Sequence, residues 1–364
     1  MNIKYPVYKP YLGQKERENV IECLNSTWIS SKGKFINQFE NSFSDFIGIK
    51  HSATVSNGTV ALHVALLSIG IGKGDEVIVP SFTYVASVNA IAYTGATPVF
   101  IDSDQQTWQM ASSQIENNIT SRTKAILAVH LYGHPCEMDT ILFLAKKYNL
   151  YVIEDCAEAF GSLYKGQSVG TFGDISTYSF FGNKTITTGE GGMVITNNSK
   201  LYESVIHIKG QGLAKNREYF HDIIGYNYRM TNICAAIGCA QLEKANDLIS
   251  KKILIAKWYE ENLKELPIVF HSETENIKHS FWMISILLKD SDERDKIRIL
   301  LKENGIETRP TFYPVHLMPM YFNNEITLPI AEELGNRGIN LPSYPELEYK
   351  DVDYICNKIK AFFL

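Results

Sequence analysis

Cysteine is scarce and unpatterned: six residues, at positions 23, 136, 156, 234, 239 and 356, with no CxxC pair among them. This spacing supplies neither a disulfide framework nor a zinc knuckle and suits free thiols in a reducing compartment. Basic charge is not in excess. Lys plus Arg number 35 and Asp plus Glu 40, and 35 − 40 leaves −5, so the surface as a whole does not attract polyanions and nucleic acid is not an expected partner. The nine histidines include no HExxH, and His130 and His134 stand in a loop without matching carboxylates or cysteines, so no metal site is expected. The opening MNIKYPVYKP has no basic, apolar, small-residue leader, which predicts a cytoplasmic protein. The long uncharged run Val77–Ile101 is interrupted by Pro80, Gly95, Pro98 and many hydroxyl and amide side chains. It reads as strand, helix and strand, and no membrane association is expected.

What is present is an ordinary globular composition over 364 residues, 45% hydrophobic and 21% charged, enough for a large core. Short β-branched runs, HSATVS (51–56), DEVIVP (75–80), TPVFID (97–102), AILAVH (125–130) and LYVIED (150–155), alternate with helical patterns. That rhythm predicts an α/β fold with a parallel sheet, whose ligands lie beyond the carboxyl ends of the strands. Further strands are predicted at DISTYSF (174–180) and GMVITN (192–197), then one long helix from Thr231 to Leu263. A strand over HSFWMISILL (279–288), a helix from Glu293 to Asn304 and a last helix near 351–363 suit a smaller α+β domain. The division is 1–245 for the large domain and 246–364 for the small one.

Three segments could carry chemistry. Ser56-Asn57-Gly58-Thr59 stands where a strand hands over to an apolar helix; Gly58 permits close backbone approach, and the free amides of the first helical turn form an anion cup, although an ordinary helix cap uses the same residues. Glu154-Asp155 closes a strongly apolar strand, where a carboxylate needs a cation or a donor, or serves as a cap for the next helix. The densest signal is SFFGNKTITTGEGG (179–192), in which Lys184 is alone among small, hydroxylic and glycine residues. A lysine used as nucleophile or base must lose a proton at a cost of roughly 4.6 kcal/mol at pH 7, which burial or Schiff-base formation removes. Two other matches fail. Gly70-Ile71-Gly72-Lys73-Gly74 follows a helix and precedes a strand, the reverse of a dinucleotide fingerprint, and Gly182-Asn183-Lys184-Thr185 lacks the spacing of a phosphate-binding loop.

In that order, the cup, Asp155 and Lys184 resemble the fold type I pyridoxal phosphate enzymes. SNGTVAL, PSFTYVAS, EDCAEAFG, SFFGNKTITTGEGG, GYNYRMT and TRPTFYPVH are similar to successive signatures of one branch, the DegT/DnrJ/EryC1/StrS sugar-nucleotide aminotransferases, from about Trp28 to His316. The resemblance implies a large domain with a mixed, mostly parallel sheet between helices, a smaller C-terminal α+β domain, and pyridoxal 5'-phosphate as cofactor. It implies that Lys184 holds the cofactor aldehyde and later moves protons, that Asp155 pairs with the pyridine nitrogen, and that Tyr84 stacks on the ring. Gly58, Thr59 and Ser179 would bind the phosphate, and Glu158 would touch the ring oxygen. Asn227 would reach a neighbour's phosphate across a homodimer with shared active sites, with Arg229 ordering that loop or making a surface salt bridge. Arg309, Tyr313 and His316, and also Ser30, Ser31 and Lys32, are candidates for the nucleotide sugar. SFFGNKTITTGEGG is most like the members that aminate C4 of GDP-4-keto-6-deoxy-mannose with L-glutamate as donor and 2-oxoglutarate as co-product, in surface-polysaccharide (O-antigen, lipopolysaccharide) assembly. The alternatives are an aminotransferase for another ketosugar, dTDP- or UDP-linked, and a non-catalytic regulatory protein of the same fold. The branch with histidine in place of the lysine is disfavoured by Lys184.

Overall fold

The computed structural model describes residues 3–364. In chain order the strands are β1 His51–Val55, β2 Glu76–Pro80, β3 Thr97–Ile101, β4 Thr123–Val129, β5 Tyr151–Asp155, β6 Leu163–Tyr164, β7 Gln167–Ser168, β8 Ile175–Ser179, β9 Gly192–Thr196, β10 Val269–Phe270, β11 Ile277–Lys278, β12 Ile284–Leu287, β13 Arg309–Pro310 and β14 Gly338–Leu341. Seven of them make the main sheet, in the order β1-β9-β8-β5-β4-β2-β3. The run from β8 to β3 is parallel, and β9 is antiparallel to both of its neighbours. Reversal of β9 alone leaves β1 pointing the same way as β8, so six strands deliver their carboxyl ends to one edge of the sheet. This is the mixed, mostly parallel α/β sheet that the family resemblance implies; the strand rhythm by itself predicts the parallel part, whose strands are apolar on both faces because helices cover both.

The helix Gly58–Ser68 shows why the cup is held firmly. Its residues Ala61 to Leu66 are all buried, so the helix is held all round and not by one stripe, by the sheet on one side and by the helices Val85–Tyr93 and Ser199–Lys209 on the others. The glycine run that follows is a turn, with Gly70 at φ 83° and Gly74 at φ 97°.

Two expectations are corrected. The predicted helix over 231–263 is two helices, Asn232–Glu243 and Ala245–Leu263, broken at Lys244 with φ −108° and ψ 13°. Apolar periodicity runs through a one-residue break unchanged, so it could not report it. The predicted strand 279–288 shrinks to Ile284–Leu287, because Phe281 takes φ 50° and its N–H is drawn to His279 Nδ1 at 2.9 Å.

The second sheet, β10-β12-β14-β13, is antiparallel. Its core includes Ile284, Ile286, Ile297, Ile339 and Leu341, and Tyr5 from the start of the chain packs among them. Tyr5 also bridges to Ile306. No helix of the described residues is long and apolar enough to cross a membrane.

Glu154, one residue before the end of β5, is completely buried. It accepts hydrogen bonds from the amides of Gly170 at 2.7 Å, Phe172 at 2.8 Å and Gly173 at 2.6 Å, and from His130 Nε2 at 3.0 Å. His130 Nδ1 accepts the Cys136 N–H at 2.9 Å, which puts the ring proton on Nε2. His130 therefore does have a carboxylate partner, contrary to expectation, and Cys156 lies beside them; sequence spacing does not reveal pairs 24 residues apart. Burial pushes the Glu154 pKa up, but the donors outweigh it and hold it below the ordinary carboxylate range. A depressed carboxylate stabilises the fold above its unfolded pKa of about 4.3, and the contribution is lost as pH falls below that. Glu154→Gln turns an amide NH₂ toward these donors and should cost about 3 kcal/mol, read as a lower thermal midpoint; an unchanged midpoint at neutral pH would contradict the bonding described.

Candidate active site

The carboxyl edge of the main sheet opens on a cavity of about 710 Å³, within the usual size for a cofactor or ligand site. Asn57, Gly58 and Thr59 enter it after β1, Thr83, Tyr84 and Ser87 after β2, Asp155 and Glu158 at and beyond β5, and Ser179 at the end of β8. Trp282, Met283, Arg309, Phe312 and Asn340 close it from the side of the second sheet. The cavity thus forms at the seam of the two sheets.

The helix start has the geometry of an anion cup. Asn57 caps the helix by accepting the Val60 N–H at 3.0 Å, and Gly58 and Thr59 at the first turn contribute orphan amides. A Cβ on Gly58 would sit 2.7 Å from Ser179 Cβ, so only glycine lets the helix start come this close to β8. Ser179 therefore stands beside the cup.

Asp155 is 4% exposed and has no ion-pair partner among the described residues. Ser87 Oγ donates to its Oδ2 at 2.7 Å, and the Ala157 N–H donates to Oδ1 at 3.0 Å. Burial raises its pKa against those two donors. A buried carboxylate that opens on a cavity and has no ion-pair partner is suited to a cationic ring nitrogen. Tyr84, 56% exposed, lies at the cavity with its ring 5.6 Å from that of Phe312.

Lys184 is not a solvated surface lysine. Its amine is 3.5 Å from Glu158 Oε1 and 3.8 Å from the centroid of the Trp282 ring. Burial pushes its pKa down, and Glu158 and Asp155 oppose that. Burial likewise pushes the Glu158 carboxyl up to about 7, with Lys184 opposing. The Tyr132 N–H donates to Glu158 Oε2 at 3.0 Å, and Tyr132 is buried at φ 57°, a strained conformation that aims the amide.

The structure brings together Gly58, Thr59, Tyr84, Asp155, Glu158, Ser179, Lys184 and Arg309 around one cavity. The other candidates do not line it. His316 is buried, its Nδ1 2.6 Å from Ser81 Oγ and its Nε2 3.3 Å from Glu332, so it pins the segment after β13 to the end of β2. Tyr313 is exposed, outside the lining. Ser30, Ser31 and Lys32 lie on a loop at the surface, and the Ser30 carbonyl accepts the Asn232 N–H at 2.6 Å. Asn227 is exposed, and its Oδ1 accepts from Arg229 Nε at 3.2 Å. Arg229 thus orders its own loop, one of the two roles foreseen for it. Sequence reasoning missed Ser87 and Trp282. Ser87 stands in PSFTYVAS, one helical turn past Tyr84, and that spacing was a usable signal; Trp282, 98 positions from Lys184, offered none.

An aminotransferase is the class that this fold and cavity define. Residues 10–360 match the DegT/DnrJ/EryC1/StrS aminotransferase family, and the chain belongs to it. It is 62% identical to a GDP-perosamine synthase of Escherichia coli O157:H7 over 362 residues, 99% of each chain. It is 48% identical to a GDP-perosamine synthase of Vibrio cholerae, covering 98% of this chain and 99% of that one. Among solved structures it is similar to Spr1654 of Streptococcus pneumoniae, at a TM-score of 0.93 and 28% identity over 100% of this chain and 98% of that one. That protein has been solved in PLP-, PMP- and apo-forms.

Proposed function

We propose that this chain transfers an amino group from L-glutamate to C4 of GDP-4-keto-6-deoxy-mannose, giving GDP-perosamine and 2-oxoglutarate, with pyridoxal 5'-phosphate as cofactor. The observation that carries it is the buried Lys184 amine beside Glu158, in the same cavity as an unpaired Asp155 and a helix-start anion cup. The residues fit the group: the cup and Ser179 suit a phosphate, and Asp155 suits a protonated ring nitrogen. The cofactor supplies an electron sink for the carbon that loses its proton.

The rest of the chemistry falls to side chains of this chain. Gly58, Thr59 and Ser179 anchor the phosphate, and Tyr84 covers a ring face. Burial disfavours the charge on Asp155 and a facing cation favours it, so its carboxylate and a protonated ring nitrogen stabilise each other. Glu158, with a carboxyl balanced near neutrality, donates toward the ring oxygen when protonated and accepts when not. Lys184 Nζ holds the cofactor, and once displaced it takes a proton from the substrate carbon and returns it, an acid–base role that a burial-lowered pKa suits. Arg309, on β13 at the mouth, offers a fork for a nucleotide phosphate. Asn227 lies on an outward-facing loop, which fits a homodimer in which each copy completes the other's site. Synthesis of a surface polysaccharide in the cytoplasm is the setting this substrate implies.

Incubation with L-glutamate and, separately, GDP-, dTDP- and UDP-linked 4-keto-6-deoxy sugars tests the reading. Mass spectrometry should find an amino sugar only in the GDP reaction. Product from the dTDP or UDP sugar alone would replace the substrate, and none from any would remove the assignment.

A further inference from the structure

Lys184 must have somewhere to reside while its amine is not bonded to the cofactor, and the cavity wall contains such a place. We infer that the indole face of Trp282 seats the Lys184 ammonium during that interval, which makes Trp282 a positioning residue for the acid–base group; the inference rests on the aminotransferase reading above. Nζ lies 3.8 Å from the ring centroid, well inside the range in which a ring face attracts a cation. The ring is 4% exposed, so that attraction acts with little water to compete.

Trp282 is held at three points, two on the indole and one on the backbone. Its Nε1–H donates to the Asn183 carbonyl at 2.8 Å, directly beside Lys184 in the chain. Its own carbonyl accepts from the fully buried Lys252 Nζ at 2.9 Å, which also donates to the Ser343 carbonyl at 2.6 Å and Ser343 Oγ at 2.7 Å. Tyr132 stacks on it at 6.1 Å and 17°. The charged groups facing Lys184 are Glu158 at 3.5 Å and, farther away, Asp155; Lys252 is bound to the Trp282 backbone carbonyl, and Tyr8 donates its hydroxyl to the Lys184 carbonyl.

Carboxylate and ring hold an ammonium differently. Glu158 attracts the ammonium as an ion pair at 3.5 Å, a Coulombic hold that must be overcome before the cation moves. The ring attracts the cation but accepts no strong hydrogen bond, and it has little hold on the neutral amine. An amine that loses its proton is thereby released toward the cavity. Trp282 would thus bias Lys184 toward its protonated, retracted state without locking it there.

The test uses the full-length protein stripped of cofactor, as wild type, Trp282→Phe and Trp282→Leu. Pyridoxal phosphate is added across a range of pH, and its capture is followed by absorbance. Only the neutral amine condenses with the aldehyde carbon, forming C=N and releasing water, so the midpoint of the rate profile reports the proton on Nζ. Loss of the ring should move that midpoint down by about one pH unit in Trp282→Leu and by about half as much in Trp282→Phe. Damage to packing alone lowers the rate at every pH and leaves the midpoint in place. Coincident midpoints overturn the inference, and if the leucine variant does not fold, Phe against wild type decides in the same way. Borohydride reduction and peptide mass analysis of the wild type separate the two levels: cofactor found on Lys184 with coincident midpoints removes only the role of Trp282, whereas no cofactor on Lys184 removes the aminotransferase reading and this inference together.

Discussion

Replacing Lys184 by alanine is expected to abolish steady-state amino transfer, lowering kcat by about 10⁴-fold or more. On the proposed mechanism two roles are lost at once, the covalent hold on the cofactor and the acid–base group, and the second alone contributes up to about 10⁴-fold. No other amine can substitute. Lys252 is fully buried, with its three donors already committed to Trp282 and Ser343, and Lys209 is held by the Thr54 carbonyl at 2.8 Å. The measurement is turnover with glutamate and ketosugar, together with borohydride labelling, which should leave the variant unmarked. A variant that turns over at the normal rate would show that the lysine has been misassigned.

Changing Asp155 to asparagine is expected to lower kcat by about 10²- to 10³-fold, the scale seen when one preorganised electrostatic group is removed. The substitution is nearly isosteric: Oδ1 can still accept the Ala157 N–H, and Ser87 can turn its hydroxyl to accept from the new amide. Stability should move the other way. Burial raises the Asp155 pKa in the folded, cofactor-free protein, and a carboxyl with a raised folded pKa opposes folding as pH climbs above its unfolded value of about 3.9. At neutral pH the cofactor-free asparagine variant should therefore melt no lower than wild type while being far less active. Calorimetry beside a kinetic assay checks both halves. A normal rate refutes the electrostatic role, and a marked drop in melting temperature refutes the account of its burial.

Much of this site could be read from the chain because its parts sit at strand ends. Asp155 and Ser179 close apolar runs, Gly58 opens a helix directly after one, and Lys184 is conspicuous as a lone charge among small residues. An α/β sheet places such positions along one edge, so local pattern and site coincide. What comes from the second sheet was legible only in part: Arg309 was named through a similar motif, whereas Trp282, Phe312 and Asn340 were not, because their nearness to the cavity is set by how two layers pack. His316 shows the reverse failure. It shares a motif with Arg309, yet its ring is taken up by Ser81 and Glu332, and neighbours in sequence need not face the same way. The break at Lys244 went unseen for a simpler reason, since one non-helical residue barely disturbs a hydrophobic period.

The place of β9 between β1 and β8 also constrains the order of events as the polypeptide leaves the ribosome. Four of the seven strands, β2 to β5, can associate as soon as they emerge, each beside a partner already made or soon to follow. β1, although synthesised first, has no neighbour in the sheet until Gly192–Thr196 arrives to pair with His51–Val55. Through all that time the turn after β1, the proposed phosphate cup, hangs from an unpaired edge. Coenzyme therefore cannot act as a template for early folding; it meets a finished receptor only after more than half the chain has been translated.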